Sequence, residues 1–237
     1  MCLYWCNRCC IPWILAWWAN DMSELTLIEG LYIYPTPAGA YQAIAAPSAD
    51  KPRRFLQRLL QQAQTPALTL PQLCLLSETD DEAKALELLL HCQKLGWVQG
   101  VDESLPAPQG ALEKLLPELL SQISEAGKVL LADEQGFYLA CSGFVHEAAE
   151  ELSALSADLA TVHKRRTGVL SNNLGIASHA WAIVDAFGCS QIGFWPLFIG
   201  GQQFVIVIAG VPHFNHPDFV TLVWALSLRY TKMDASK

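Results

Sequence analysis

Two small groups of side chains have the types and spacing that a catalytic or metal site would need. His213 and His216 in VPHFNHPD, with Asp218 beside them, have a spacing that a metal ion could use, but no further Cys or His stands nearby. Cys141 and His146 could act as a nucleophile and its base, although a cysteine inside an alternating strand more often packs in a core. We therefore expect no catalytic residue, no metal site and no cofactor.

The first 21 residues are rich in cysteine and tryptophan. They hold four of the eight cysteines, spaced Cys-x3-Cys-x2-Cys-Cys, and four of the eight tryptophans. An upstream extension or disordered tail before a start at Met22 is the favoured interpretation. A membrane-associating segment and thiol or metal chemistry are the alternatives. The apolar run 9–19 is shorter than the roughly 20 residues of a membrane helix, so we expect no stable membrane insertion.

Composition and motifs exclude several classes of protein. The sequence contains none of G-x4-G-K-[ST], G-x-G-x-x-G, H-E-x-x-H and G-x-S-x-G, so we predict that it is not an enzyme. The net charge is −8 and both halves are negative, which argues against nucleic acid as a partner. Hydrophobic residues make up 52% of the chain, enough for a packed core. Cys74, Cys92, Cys141 and Cys189 lie in apolar segments without disulfide spacing, which favours a reducing, cytoplasmic location.

Residues 22–105 have the element order of a small winged-helix-like α/β module. Two β-like runs within 25–45 precede a helix after Pro52, a short helix after Thr69, a longer helix from Asp80 to Leu95 and the strand WVQGVD. The acidic start of the longer helix would repel phosphates, so contact with a protein is favoured over reading of DNA. PAPQG at 106–110 is the predicted boundary to a second domain, 111–232.

Residues 111–232 predict the order α-β-β-α-β-β-β-α, which places the chain in the α+β class with an antiparallel five-stranded sheet. A helix over 112–125 precedes two strands joined by the turn DEQG, and a long helix then covers 146–166. Three strands and a helix over 218–230 complete the domain. QFVIVIA is apolar on both faces, which predicts a central strand.

The long helix separates into stripes at 100° per residue. The large apolar stripe, expected to anchor the helix on its own sheet, is Leu152, Leu155, Leu159 and Val162. A second stripe, of small residues, lies beside it and consists of Ala149, Ser153, Ser156 and Ala160. Small side chains permit the close approach of another element. A second copy of the helix is the favoured occupant, and tight packing within the monomer is the alternative.

VLLADEQGFYLACSGF followed by EAAEELSALSADLA resembles the Roadblock family of dynein-associated and bacterial GTPase-associated proteins. The resemblance takes in residues 112–230 and rests on the Asp133/Gly136 hairpin, the break at Gly143, the Ala-rich helix and the F-G and G-G-Q turns. It implies a homodimer through the 146–166 helix and the strand near 180–187, which merges two sheets. It also implies a small Ras-like GTPase docked near the paired helices.

We therefore predict a dimeric, non-catalytic scaffold or regulator that binds a small Ras-like GTPase. The predicted dimer interface is Ala149, Ser153, Ser156, Ala160, Trp181 and Ile183. The predicted partner-binding residues are Glu147, Glu151, Asp158, Lys164, Arg165 and Arg166. The alternatives are a transcription regulator that uses the winged-helix-like module, and a small-molecule sensory domain. Trp181, Phe194 and Trp195 could line its pocket, although core packing is the favoured use of these residues.

Overall fold

The structure is a computed structural model that describes residues 15–16, 26–28 and 30–231. The predictions made for the thiol cluster and for a start at Met22 lie outside these residues. Within the described ranges, no helix has the length and apolar content needed to cross a membrane.

The N-terminal elements form two antiparallel strand pairs and four helices. In chain order they are β1 (Leu15–Ala16), β2 (Thr26–Leu27), β3 (Tyr32–Pro35), α1 (Pro37–Ile44), α2 (Lys51–Leu59), α3 (Leu70–Ser77), α4 (Glu82–Lys94) and β4 (Val98–Val101). β1 pairs with β2, and β3 pairs with β4. The three helices predicted before the strand at 98–101 are present. The winged-helix assignment itself stays a prediction. β4 pairs with β3, which precedes all four helices in the chain.

The second β-like run predicted within 25–45 is wrong, because those residues form α1. The Thr36 hydroxyl caps the helix by accepting a hydrogen bond from the Gly39 amide at 3.1 Å, and Pro37 occupies the first turn. Thr36 also donates to the Gly96 carbonyl at 2.6 Å. A Cβ built on Gly39 would lie 1.9 Å from the Trp97 carbonyl oxygen, so this glycine lets α1 approach the start of β4.

The C-terminal elements have the predicted order. They are α5 (Leu112–Ser121), β5 (Val129–Asp133), β6 (Tyr138–Ser142), α6 (His146–Thr167), a π-helical turn (Gly168–Asn173), β7 (Trp181–Val184), β8 (Ser190–Ile199), β9 (Gln202–Ala209) and α7 (Pro217–Tyr230). Strands β5 to β9 form one antiparallel five-stranded sheet in the order β6-β5-β9-β8-β7. The α+β class is confirmed, and so is the central position of β9, whose residues 204–208 are all buried.

The two faces of the sheet are covered differently. Alternate side chains of a strand point to opposite faces. Leu130, Val205 and Val207 pack with Ala149 of α6 in a small core on one face. Leu131, Ile206 and Ile208 belong to a larger core on the other face.

The larger core is shared by the N-terminal and C-terminal elements. It includes Phe55 of α2 together with Phe219 and Leu222 of α7, all of them fully buried. The indole Nε1 of Trp224 donates to the Gln62 carbonyl at 2.9 Å and adds a polar link between the same parts. The predicted boundary at 106–110 therefore lies between two parts that share one hydrophobic core.

Candidate interaction surface on α6 and β7

The small residues of α6 face the chain's own sheet. Ala149 and Ser153 are 0% exposed and Ser156 is 1% exposed, whereas Leu155 is 40% exposed. The expectation that the leucine stripe anchors the helix is therefore wrong for Leu155.

Close approach of the β5–β6 hairpin explains this orientation. Gly136 in that hairpin has φ +90°, and a Cβ there would lie 3.2 Å from both the Ser153 carbonyl oxygen and the Ala154 Cα. Larger side chains on this stripe would push the hairpin away. The hydroxyl of Ser153 donates to the Ala149 carbonyl, and that of Ser156 donates to the Ser153 carbonyl at 2.7 Å, so both are satisfied within the helix.

The predicted dimer-interface residues consequently divide into two groups. Ala149, Ser153 and Ser156 are buried within the chain, and a second copy has no access to them in this conformation. Ala160 and Trp181 are half-buried. Ile183 is 57% exposed. The most accessible of the predicted interface residues, Ile183, thus lies on the edge strand β7.

Strand β7 is an edge strand with exposed apolar side chains. Within the described part of the chain it pairs with β8 only. Ile183 and Val184 are 57% and 54% exposed, and Phe187 in the following turn is 93% exposed. The Asp185 carboxylate accepts hydrogen bonds from the Phe187 and Cys189 amides, both at 2.9 Å, so the turn is well defined. An uncovered edge of this kind is a template for pairing with another strand.

The predicted partner-binding residues all lie on the exposed side of α6. Acidic residues occupy the first two thirds of the helix, and the basic residues occupy its last turn. Each cation in the last turn is also favoured by the helix dipole. Among the described residues, none of the six forms an ion pair with an opposite charge. Their charges therefore face solvent.

Two of the histidines considered for chemistry, His146 and His216, have structural partners. His146 Nδ1 lies 2.7 Å from the Tyr138 hydroxyl, and its Nε2 lies 3.4 Å from a Glu150 oxygen, so its ring is not paired with Cys141. His216 caps α7 by accepting from the Asp218 amide at 3.3 Å. Among the described residues, no group of three or more Cys, His, Asp and Glu side chains is placed to hold a metal ion.

The four scattered cysteines do not share one environment. Cys92 is buried, and its burial, with a smaller effect from the charge of Asp50, raises the pKa of its thiol to about 12. Cys189 lies exposed in the turn after β7, although the sequence around it is apolar.

A histidine cluster joins the end of α6 to β7. His163 is 8% exposed, and its Nδ1 accepts a hydrogen bond from the Trp181 indole at 3.1 Å. The rings of His163 and His179 have centroids 4.8 Å apart. Burial, followed by the charges of His163 and Arg53, lowers the pKa of His179. The sequence carried a signal for this cluster, because His163 continues the buried stripe at helical spacing from Ser156.

Trp181, Phe194 and Trp195 do not line one pocket, the alternative considered for a sensory domain. Trp181 and Phe194 are register partners on the α6 face of the sheet. Trp195 points to the opposite face, where its ring covers Gly193 and lies 5.3 Å from Phe214. Neighbouring residues of one strand point in opposite directions, so Phe194 and Trp195 cannot line the same pocket.

No protein-family model and no curated protein matches this chain. Among solved structures, a Roadblock/LC7 domain from Streptomyces avermitilis matches with 13% identity over 51% of this chain and 93% of that chain, with a TM-score of 0.32. MglB of Myxococcus xanthus matches with 14% identity over 52% of this chain and 90% of that chain, with a TM-score of 0.30. The first is a domain of the kind that residues 112–230 resemble. Both TM-scores are low, so the proposed dimer is argued below from the geometry of this chain alone.

Proposed function

We propose that this protein is a homodimeric, non-catalytic scaffold or regulator that assembles through α6 and β7 and binds a small Ras-like GTPase. The observation that carries the dimer is the uncovered edge strand β7. Its unpaired backbone and the exposed side chains of Ile183 and Val184 would meet the same groups of a second copy across a two-fold axis. Such pairing would join two five-stranded sheets into one.

The charge distribution of α6 supports the same arrangement. The helix has 22 residues and a length of about 33 Å. If two copies cross antiparallel near Leu155, Glu147 and Glu151 of each copy approach the basic last turn of the other. Leu155, which is 40% exposed, would lie at the centre of the contact. The interface would then have an apolar centre and a charged rim, the usual anatomy of a protein interface.

The GTPase part of the proposal rests on the resemblance of residues 112–230 to the Roadblock family. The chain adds exposed charges that could serve it, since Asp158 and the basic residues Lys164, Arg165 and Arg166 are exposed along the C-terminal half of α6, at the rim of the proposed dimer contact. A non-catalytic role is consistent with His146 and His216, whose rings stabilise local structure. The cytoplasmic location is supported by free thiols at the four described cysteines.

Co-purification in two nucleotide states tests the GTPase part. The tagged full chain is recovered from its own host in the presence of GDP or of a non-hydrolysable GTP analogue. We expect a small GTPase to be recovered preferentially in one state and to be lost from the Arg165→Glu variant. Lys114→Glu is the matched control, because it reverses an exposed cation on α5. Recovery of no GTPase with either nucleotide would contradict this part of the proposal, whereas the dimer is tested separately.

A further inference from the structure

A side-chain hydrogen bond joins the C-terminal part of α6 to the edge strand β7. The Trp181 indole Nε1 donates to the Nδ1 atom of His163 at 3.1 Å. An indole nitrogen can only donate, so Nδ1 of this imidazole carries no proton while the bond exists. Protonation of Nδ1 would place two N–H groups against each other. The hydrogen bond from Trp181 and a charged His163 ring therefore exclude one another.

The surroundings of His163 do not compensate a positive charge. The residue is 8% exposed, and its other ring nitrogen, Nε2, is buried without a hydrogen-bond partner among the described residues. The ring of His179, just before β7, has its centroid 4.8 Å from that of His163. Two positive charges at this distance repel each other more strongly here than in bulk water, because the site is largely buried.

The other charged groups that face the two histidines are cations. Lys164 of α6 lies beside them, and Arg53 of α2 is close enough for its charge to act on His179. The rest of the lining comes from α6, from strands β8 and β9 and from the loop after α1, and it is uncharged: Ala160, Thr167, Pro196, Phe198, Gln203 and Pro47. None of these described lining residues is acidic, so no carboxylate stabilises a protonated pair.

The two histidines lie where the chain enters β7. Residues 172–178 are all exposed, and residues 179–181 are the first half-buried ones after them. The contact of His163 with His179 and Trp181 therefore holds the start of the edge strand against α6. Loss of this contact would release the start of β7, since the exposed residues before it cannot hold it in place.

We propose that protonation of the His163–His179 pair weakens the proposed dimer by releasing the start of β7 from α6. In the held form both rings are neutral, Trp181 is bonded to His163, and the edge of β7 is ordered for pairing with a second copy. In the released form the start of the strand no longer matches its copy. This switch rests on the dimer of the proposed function, to which it adds regulation by pH.

The sign of the pH dependence follows from the surroundings of the pair. Burial, and after it the neighbouring charges, lowers the pKa of His179 from 6.5, so the released form takes up a proton at a higher pH than the held form. Acidification through pH 6.5 therefore favours the released form. Both copies must be in the held form to pair, so a held fraction of about one third would raise the dissociation constant about tenfold.

Sedimentation velocity of the full chain at pH 7.5 and pH 5.5, at equal ionic strength and over a range of concentrations, tests the switch. We expect the dissociation constant of the dimer to be at least about tenfold higher at the lower pH. A dimer with the same dissociation constant at both values would overturn the switch alone. A monomer at pH 7.5 would overturn the dimer of the proposed function as well.

The variant His163→Asn keeps the hydrogen bond but removes the titration. The side-chain oxygen of asparagine takes the place of Nδ1 and can accept from Trp181 at both pH values. Its dissociation constant should therefore change less than about threefold over this range. His91→Asn is the matched control, because it removes an exposed histidine on α4 and should keep the full pH dependence. Equal pH dependence in the two variants would contradict the assignment to His163.

The indole signal of Trp181 gives a second measurement, which needs no variant at His163. In the chain labelled with ¹⁵N at tryptophan, the Trp181 Nε1–H signal in NMR spectra should move upfield between pH 7.5 and pH 5.5, because its acceptor is lost. The indole of Trp224 donates to the Gln62 carbonyl at 2.9 Å and serves as the internal control, since this acceptor does not titrate. A Trp181 signal that moves no more than that of Trp224 would overturn the switch.

Discussion

Replacement of Ile183 by Lys is predicted to weaken the proposed dimer strongly. Full burial of an isoleucine side chain is worth about 1.5–3 kcal/mol, and Ile183 is 57% exposed in the monomer. About 1–1.5 kcal/mol per side chain therefore remains to be gained by dimerisation. Each copy contributes one Ile183 to a two-fold interface, so the dimer gains about 2–3 kcal/mol in total. Loss of this contribution raises the dissociation constant about 30- to 150-fold. Repulsion between two lysines at a shared edge adds to the effect.

Sedimentation velocity over a range of concentrations measures this change directly. Leu75→Lys is the matched control, because Leu75 is 65% exposed on α3, outside the proposed interface, and its replacement should leave the dissociation constant unchanged. Circular dichroism checks that both variants keep their fold. A dissociation constant for Ile183→Lys equal to that of Leu75→Lys would refute the reasoning that places β7 at the interface.

Three further predictions concern stability and reactivity. Gly39→Ala should lower the free energy of unfolding by at least about 1–3 kcal/mol in urea titrations, because its Cβ would lie 1.9 Å from a carbonyl oxygen; Gly168→Ala, with open space around it, should have little effect. A thiol reagent at pH 8 should modify exposed Cys189 quickly and buried Cys92, whose pKa is raised to about 12, only after unfolding; equal rates would contradict this. Burial lowers the pKa of His179 from 6.5, so on acidification the unfolded chain takes up this proton at a higher pH than the folded chain. The free energy of unfolding should therefore fall as the pH drops below about 6.5. His179→Asn should reduce that fall in thermal melts compared at pH 7 and pH 5.

The order of the C-terminal elements could be predicted because local signals agree there. The DEQG turn, the alternation of its flanking strands and the two-sided apolar pattern of QFVIVIA each favour one structure. In the fold these signals become the β5–β6 hairpin, closed by hydrogen bonds from the Gln135 and Phe137 amides to the Asp133 carboxylate, and the central strand β9.

The orientation of α6 could not be predicted from its stripes alone. The helical period separates large from small side chains, but it does not tell which stripe faces the sheet. The deciding contact is Gly136, more than ten residues away in sequence, which brings the hairpin backbone against Ser153. Burial of small residues here leaves Leu155 exposed, against the usual preference for burying the larger apolar side chain.

The surroundings of the histidine cluster come from both parts of the chain. The position of His163 on the buried stripe of α6 was visible, but its neighbours come from β7, β8 and the loop after α1. Likewise the sequence of α1 predicts a strand as readily as a helix, because Tyr41 and Ile44 suit both. The N-cap at Thr36 and Pro37 in the first turn favour the helix.

Hydrogen–deuterium exchange at β7 tests the central claim most directly. In the proposed dimer, the backbone of Trp181–Val184 pairs with the same strand of a second copy. Amides of this strand that do not bond to β8 should exchange slowly at high protein concentration and become fast on dilution, in parallel with dissociation of the dimer. Fast exchange of these amides at every concentration, in a sample whose mass is that of a dimer, would contradict the account.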